Sequence, residues 1–154
     1  MKKTLLIFSV ALVTLMSSCK KEEETPAPTL YERLGGVNAI SAVVDQFIAN
    51  VAANPKMVRT FKPLLDEVAA GKTTRVTALR NNLIDQIGQA SGGPQVYKGK
   101  DMVTAHKGMK ITDDEFNSLV NDLVMALDKF KVPTTEKNEL LGVLGGLKGM
   151  IVNQ

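Results

Sequence analysis

TLYERLGGVNAISAVVDQFIANVAAN, residues 29–54, decides how the chain folds. Thr29 and Glu32 stand at capping-box spacing, so a short helix opens at Leu30, and Gly35-Gly36 stops it by offering two positions that tolerate positive φ. Val37, Ile40, Val43, Val44, Phe47, Ile48 and Val51 then recur at intervals of three and four. Such spacing lays one apolar stripe along a long helix that ends near Asn54. Asn54-Pro55 reads as a cap followed by a first-turn proline, starting a short turn from Met57 to Phe61.

The same periodicity continues toward the C-terminus. Residues 62–77 are punctuated by Pro63 and Gly71, with Leu64, Leu65 and Val68 available for one more short helix. Val76, Leu79, Leu83, Ile84 and Ile87 stripe a longer helix to about Ala90, where Ser91-Gly92-Gly93-Pro94 ends it. A loose stretch through Tyr97, Gly99 and Met102 leads to His106. Thr112 and Glu115 repeat the capping-box spacing and open a helix striped by Phe116, Leu119, Val120, Leu123, Leu127 and Phe130. Pro133 starts the last helix, whose face holds Leu140, Leu144, Leu147 and Ile151. Apolar and polar residues nowhere alternate cleanly, so residues 29–154 read as one all-α domain.

Toward the N-terminus the character changes. Residues 1–18 begin with Lys2-Lys3, run apolar from Leu5 to Met16 and end in Ser17-Ser18, the pattern of a secretory signal. That run is short of the roughly 20 apolar residues needed to span a bilayer. Small residues followed by Cys19 resemble the bacterial lipobox, which implies cleavage and lipidation of Cys19. Residues 19–28, charged and then proline-rich, read as a flexible tether. The expectation is a lipid-anchored protein of the bacterial cell envelope, on the periplasmic or surface face of the outer membrane, whose partner is the lipid bilayer.

Composition narrows the chemistry. The 154 residues are 44% hydrophobic and only 5% aromatic, with one Cys and one His. Without Lys2 and Lys3 the 19 basic side chains fall to 17 against 16 acidic ones, with no basic run. Nucleic acid is therefore not an expected partner, because phosphate binding needs grouped cations. A single Cys excludes intramolecular disulfides, Cys-rich zinc sites, protein-ligated iron–sulfur clusters and double-Cys haem attachment.

Few side chains remain for chemistry. A lone His is more often a packed or surface residue than a ligand, but His106 lies on a short helical segment beside the apolar Phe116 helix, where its imidazole can face an interior poor in other polar groups. Asp113-Asp114-Glu115 suits the positive end of a helix dipole better than a catalytic pair. The glycines from Gly142 to Gly149 lack the strand–loop–helix setting of a phosphate loop. No nucleophile elbow supports a serine hydrolase, and no catalytic residue is assigned.

Read in order, Leu30-Tyr31-Glu32-Arg33-Leu34-Gly35-Gly36, Ile40, Val43, Val44, Phe47, Gly92-Gly93-Pro94, Tyr97, Gly99, Met102, Ala105-His106, Ile111-Thr112 and Phe116 resemble the group I truncated haemoglobins, from about Thr29 to Val152. The resemblance implies a two-over-two helical sandwich around a non-covalent b-type haem, with His106 as the proximal ligand of the iron. It implies that Phe61 packs on the haem face and that Phe47, Leu79, Tyr97, Met102, Phe116, Leu119 and Leu123 line the pocket. As the sole His, His106 rules out bis-histidine coordination.

The distal side departs from the family. Ile48 stands where a ligand-stabilising Tyr is usual, and Leu83 where a distal Gln is usual. The stretch from Phe61 to Leu79 is also about ten residues longer than in typical members, which leaves Asn82 or Gln86 as alternative inward-facing residues. Arg75 and Arg80 are candidates for haem propionates, although solvated helix-surface charge is the default for both. The implied function is binding of a diatomic gas, oxygen or nitric oxide, or haem-based redox chemistry. Two other readings stay open: a haem-free interaction module, and a lipoprotein that captures or relays haem.

Overall fold

The computed structural model describes residues 26–154. The leader, Cys19 and most of the tether lie outside the described residues. Seven α-helices follow: α1 (Leu30–Arg33), α2 (Gly36–Ala53), α3 (Val58–Ala69), α4 (Thr74–Ala90), α5 (Met102–His106), α6 (Asp113–Lys129) and α7 (Thr134–Gly145). Among the described residues there is no strand, only an isolated bridge between Ile111 and Val152.

Both expected capping boxes form. Thr29 accepts from the Glu32 N–H at 3.2 Å while Glu32 accepts from the Thr29 N–H at 2.7 Å, and Thr112 and Glu115 exchange the same pair. Gly35 and Gly36 take φ of +92° and +72°, which turns the chain from α1 into α2 at a cost that only glycine avoids.

α2 packs against α4 on one side and α6 on the other, and α7 lies against α6 and α1. These are the two layers of a two-over-two helical sandwich. Ile40, Val43, Val44, Phe47 and Val51 of α2 meet Ile84 and Ile87 of α4 and Leu123, Ala126 and Leu127 of α6 in one buried cluster. Val37, first residue of the expected stripe, stays 39% exposed, because the helix start lies outside that cluster.

A polar tie closes the far end of α2. The Asn54 carboxamide accepts from the Lys56 N–H and donates to Ser118 Oγ at 3.0 Å and Asp122 Oδ2 at 2.8 Å. Both acceptors sit in the α2–α6 contact and are buried, so the bonds offset the cost of removing them from water.

Two elements differ from expectation. Most of the expected turn from Met57 to Phe61 and the punctuated stretch after it form one twelve-residue helix, α3, that starts at Val58, runs through Pro63 and stops near Gly71. Proline removes only the N–H that would reach the Arg59 carbonyl, and the apolar positions 61, 64, 65 and 68 keep a common face on either side of it. The last helix is shorter than its stripe implied: α7 ends at Gly145, and Ile151 follows a 3₁₀ turn. The chain end then lies beside the segment after His106, with Asn153 N–H donating to Ile111 O at 2.9 Å and Lys110 N–H donating to Gln154 O at 2.8 Å.

Candidate functional site

A cavity of about 1000 Å³ opens among α2, α3, α4, α5 and α6. Phe47, Ile48, Phe61, Leu79, Leu83, Tyr97, Met102, His106, Phe116 and Leu119 all lie on its wall. Leu123 does not. It is buried in the α2–α6 core, one helical turn beyond Leu119.

His106 closes α5, whose start is capped by Asp101 accepting from the Thr104 N–H at 2.9 Å. Its Nδ1 lies 2.7 Å from the carbonyl of Met102, one turn earlier. A carbonyl can only accept, so Nδ1 carries a proton, and Nε2 is the nitrogen left to serve as a metal donor in the neutral ring. Tyr97 is spent differently. Its hydroxyl donates to the Lys100 carbonyl at 2.8 Å and its N–H to Gln89 Oε1 at 2.6 Å, and burial, with Asp101 adding to it, pushes the phenol pKa up. It serves the cavity as a neutral wall.

The other wall is apolar. α2 contributes Phe47, Ile48, Val51 and Ala52, and α4 contributes Val76, Leu79 and Leu83. α3 adds Phe61, Leu64, Leu65 and Val68, and none of its own residues is fully buried. Of the two alternative inward residues, Gln86 lines the cavity and Asn82 does not. The Gln86 amide donates to the Met102 thioether at 3.4 Å, a weak acceptor that also lies on the wall.

Charge collects at particular places on the wall. Arg75 lies there and pairs with Glu67 of α3 at 3.0 Å. Arg80, the second expected propionate partner, is not among the lining residues. It grips Asp45 of α2 through Nε at 2.5 Å and Nη2 at 2.9 Å, which holds that carboxyl below its ordinary range. Arg80 follows Leu79 directly, and consecutive helical residues point about 100° apart, so an inward Leu79 turns it away.

Arg59 and Lys100 also lie on the wall and escaped the sequence reading. Arg59 binds Glu115 through Nε at 2.8 Å, and Glu115 takes Thr60 Oγ1 at 3.0 Å as well. The Arg59 guanidinium, with the Thr112 N–H next, brings the Glu115 carboxyl down to about 2. Glu115 thus does more than cap α6. Its partner lies 56 positions away, and local spacing carries no signal of it.

What the arrangement can hold follows from its donors. Among the described residues no three His, Cys, Asp or Glu side chains converge, so a bare ion would find no cage. The cavity wall offers instead one imidazole nitrogen in a large apolar space with cations on its wall. Those residues fit a planar apolar group that brings its own equatorial donors to the metal and carries acidic substituents, which is the chemistry of haem.

Residues 29–153 match the bacterial-like globin family. The group 1 truncated haemoglobin of Tetrahymena pyriformis is 33% identical over 117 residues, 75% of this chain and 88% of the relative. The crystal structure of the truncated haemoglobin of that organism in its Fe(III) form superposes with a TM-score of 0.72 at 29% identity, covering 82% of this chain and 100% of that one. The 2/2 haemoglobin of Synechococcus sp. PCC 7002, solved in the cyanomet state with covalently attached haem, gives 0.64 at 25% identity, covering 77% of this chain and 91% of the other. Together with the helical sandwich and the His106 cavity, these matches make the chain a truncated globin, a member of the bacterial-like globin family.

Proposed function

We propose that the chain binds haem b non-covalently in this cavity and presents it to a diatomic gas. The observation that carries this is the His106 imidazole, protonated at Nδ1 by its bond to Met102 O and lining a 1000 Å³ apolar cavity. When bound, haem would supply an iron centre able to take a gas. His106 Nε2 would hold the iron from one side, Phe61, Phe116, Leu119 and Met102 would pack on the ring, and Arg75 and Lys100 would meet its acidic groups. Non-covalent binding follows from the residue inventory. The only His would hold the iron, and the only Cys, Cys19, opens the tether ahead of the domain, so neither usual attachment residue is left in the domain.

The apolar α2–α4 wall sets the ligand preference. Oxygen is retained in globin pockets by a hydrogen bond; Ile48, Leu79 and Leu83 donate none, and the Gln86 amide on the same wall is turned to the Met102 thioether, so this pocket suits gases that need no donor, nitric oxide above oxygen. Titrating hemin into the purified chain tests the reading: a sharp Soret band saturating at one equivalent is expected, with the pigment extracted into acid organic solvent. A chain that leaves the hemin spectrum unchanged would overturn haem binding. A haem that passes to apomyoglobin in seconds would replace gas binding with relay.

The same proposal places the protein at the envelope through acylated Cys19. Its support is the charged and apolar order of residues 1–18. Expressed in a bacterium, the chain is expected in the membrane fraction with an acyl mass on its N-terminal Cys, and Cys19→Ser is expected to abolish both. Unmodified Cys19 in the cytosolic fraction would sink the assignment.

A further inference from the structure

His106 sits at the end of a helix of five residues, none of them buried. Packing alone therefore gives its imidazole little definition, yet a metal ligand must be held within fractions of an ångström. The chain turns sharply just after it. Gly108 has φ of +81°, the Met109 N–H donates back to the His106 carbonyl at 3.0 Å, and Lys110 has φ of +50°.

One side chain grips that turn. Arg59 Nη1 donates to the Met109 carbonyl and Nη2 to the Lys110 carbonyl, each at 3.1 Å. Two further guanidinium hydrogens go to Glu115, from Nε at 2.8 Å and Nη2 at 2.5 Å. Glu115 is itself fixed to the Thr112 N–H at 2.9 Å, at the start of α6. A planar fork thus joins α3, the turn behind His106 and the N-terminus of α6 in one plane of donors. Lysine, a single point charge, cannot span both carbonyls and a carboxylate together. The Arg59 side chain is 55% exposed, so the ion pair as such contributes little stability. Its geometric reach is what matters.

We propose that Arg59 is the positioning residue for His106: by pinning the carbonyls of Met109 and Lys110 to the α6 terminus, it fixes where the imidazole Nε2 reaches into the cavity. This rests on the haem reading above. The turn has a second brace, the Lys110 and Ile111 backbone bonds to the chain end, so loss of Arg59 loosens the turn without unfolding it.

The test uses the ferrous haem-loaded chain and its Arg59→Gln and Arg59→Lys variants. The expected result for Arg59→Gln is an iron–histidine stretching band in resonance Raman that is shifted or broadened, and haem transfer to apomyoglobin about tenfold faster, as for other lost outer-shell partners. Arg59→Lys should resemble Arg59→Gln, whereas a simple charge role would be rescued by lysine. An unchanged band with transfer within twofold of wild type in either variant overturns the proposal. Hydrogen exchange of the amides at 108–111 in the haem-free chain gives a second readout, expected to quicken in both variants. If wild type takes up no hemin, the haem reading fails, and unchanged exchange in the variants would then overturn the clamp separately.

Discussion

The wall around His106 and the wall made by α2 and α4 solve opposite problems. Around His106 the backbone is short and sharply turned, and direction comes from hydrogen bonds: Met102 O on Nδ1, Lys100 O on Tyr97, and the Arg59 fork on the turn behind. On α2 and α4 the helices are 18 and 17 residues long, and position comes from packed aliphatic side chains. A metal donor needs a defined angle, which only directional bonds to fixed groups give. A pocket for an apolar gas needs shape alone, which packing supplies. The difference teaches that direction is specified by hydrogen bonds around His106, whereas on the α2–α4 wall Arg75 and Gln86 are the only polar side chains among aliphatic and aromatic ones.

The sharpest way to break that comparison is His106→Gly. If the imidazole is the axial donor, the variant should lose at least about a hundredfold in hemin affinity and regain a His-like spectrum with millimolar imidazole, which can enter the space left by the side chain. Spectral titration with and without imidazole reads both. Tight hemin binding by the variant with an unaltered spectrum would move the ligand role away from α5.

The second prediction concerns the apolar wall. Leu83→Gln should restore a donor, and one hydrogen bond to a polar ligand slows its escape about tenfold. Stopped-flow oxygen dissociation from the ferrous chain should therefore fall by that factor, with carbon monoxide release nearly unchanged because it accepts hydrogen bonds poorly. Equal effects on both gases would mean that the substitution altered packing. No effect on either would mean that Leu83 does not approach the bound gas, and Gln86 would become the residue to vary.

What could be read from the sequence divides along the same line. The capping boxes at Thr29 and Thr112, the glycine stop at 35–36 and the apolar faces of α2, α4 and α6 are local, each decided within a turn or two of helix, and they appear where the spacing places them. Periodicity also placed Leu123 on the inward face of α6. It could not say where along that face the cavity ends, because cavity length depends on how α3 and α5 sit across from it. The Arg59 fork joins residues about 50 positions apart, and nothing around Arg59 distinguishes it from a solvated arginine. α3 was hidden for a further reason: Pro63 and Gly71 punctuate the segment locally, while its apolar face lines the cavity and meets residues distant in sequence.

Arg75 and Arg80 give the smallest and most discriminating contrast, since they occupy the same helix five residues apart. Arg75 lies on the cavity wall and has an exposed side chain paired with Glu67, a bond that solvent already weakens and that a carboxylate arriving with haem can replace at small cost. Arg80 holds Asp45 with two parallel bonds, off the cavity wall. Arg75→Gln is therefore expected to speed haem transfer to apomyoglobin several-fold, by analogy with other charge-assisted contacts, while Arg80→Gln leaves it within twofold. The ionic-strength dependence separates mechanism from packing: salt should narrow the gap between wild type and Arg75→Gln, because the contact removed is electrostatic and largely solvent-exposed. If Arg80→Gln proves the faster of the two, α4 is rotated relative to the bound haem. The apolar wall would then have to be reassigned around Arg80 and Leu83.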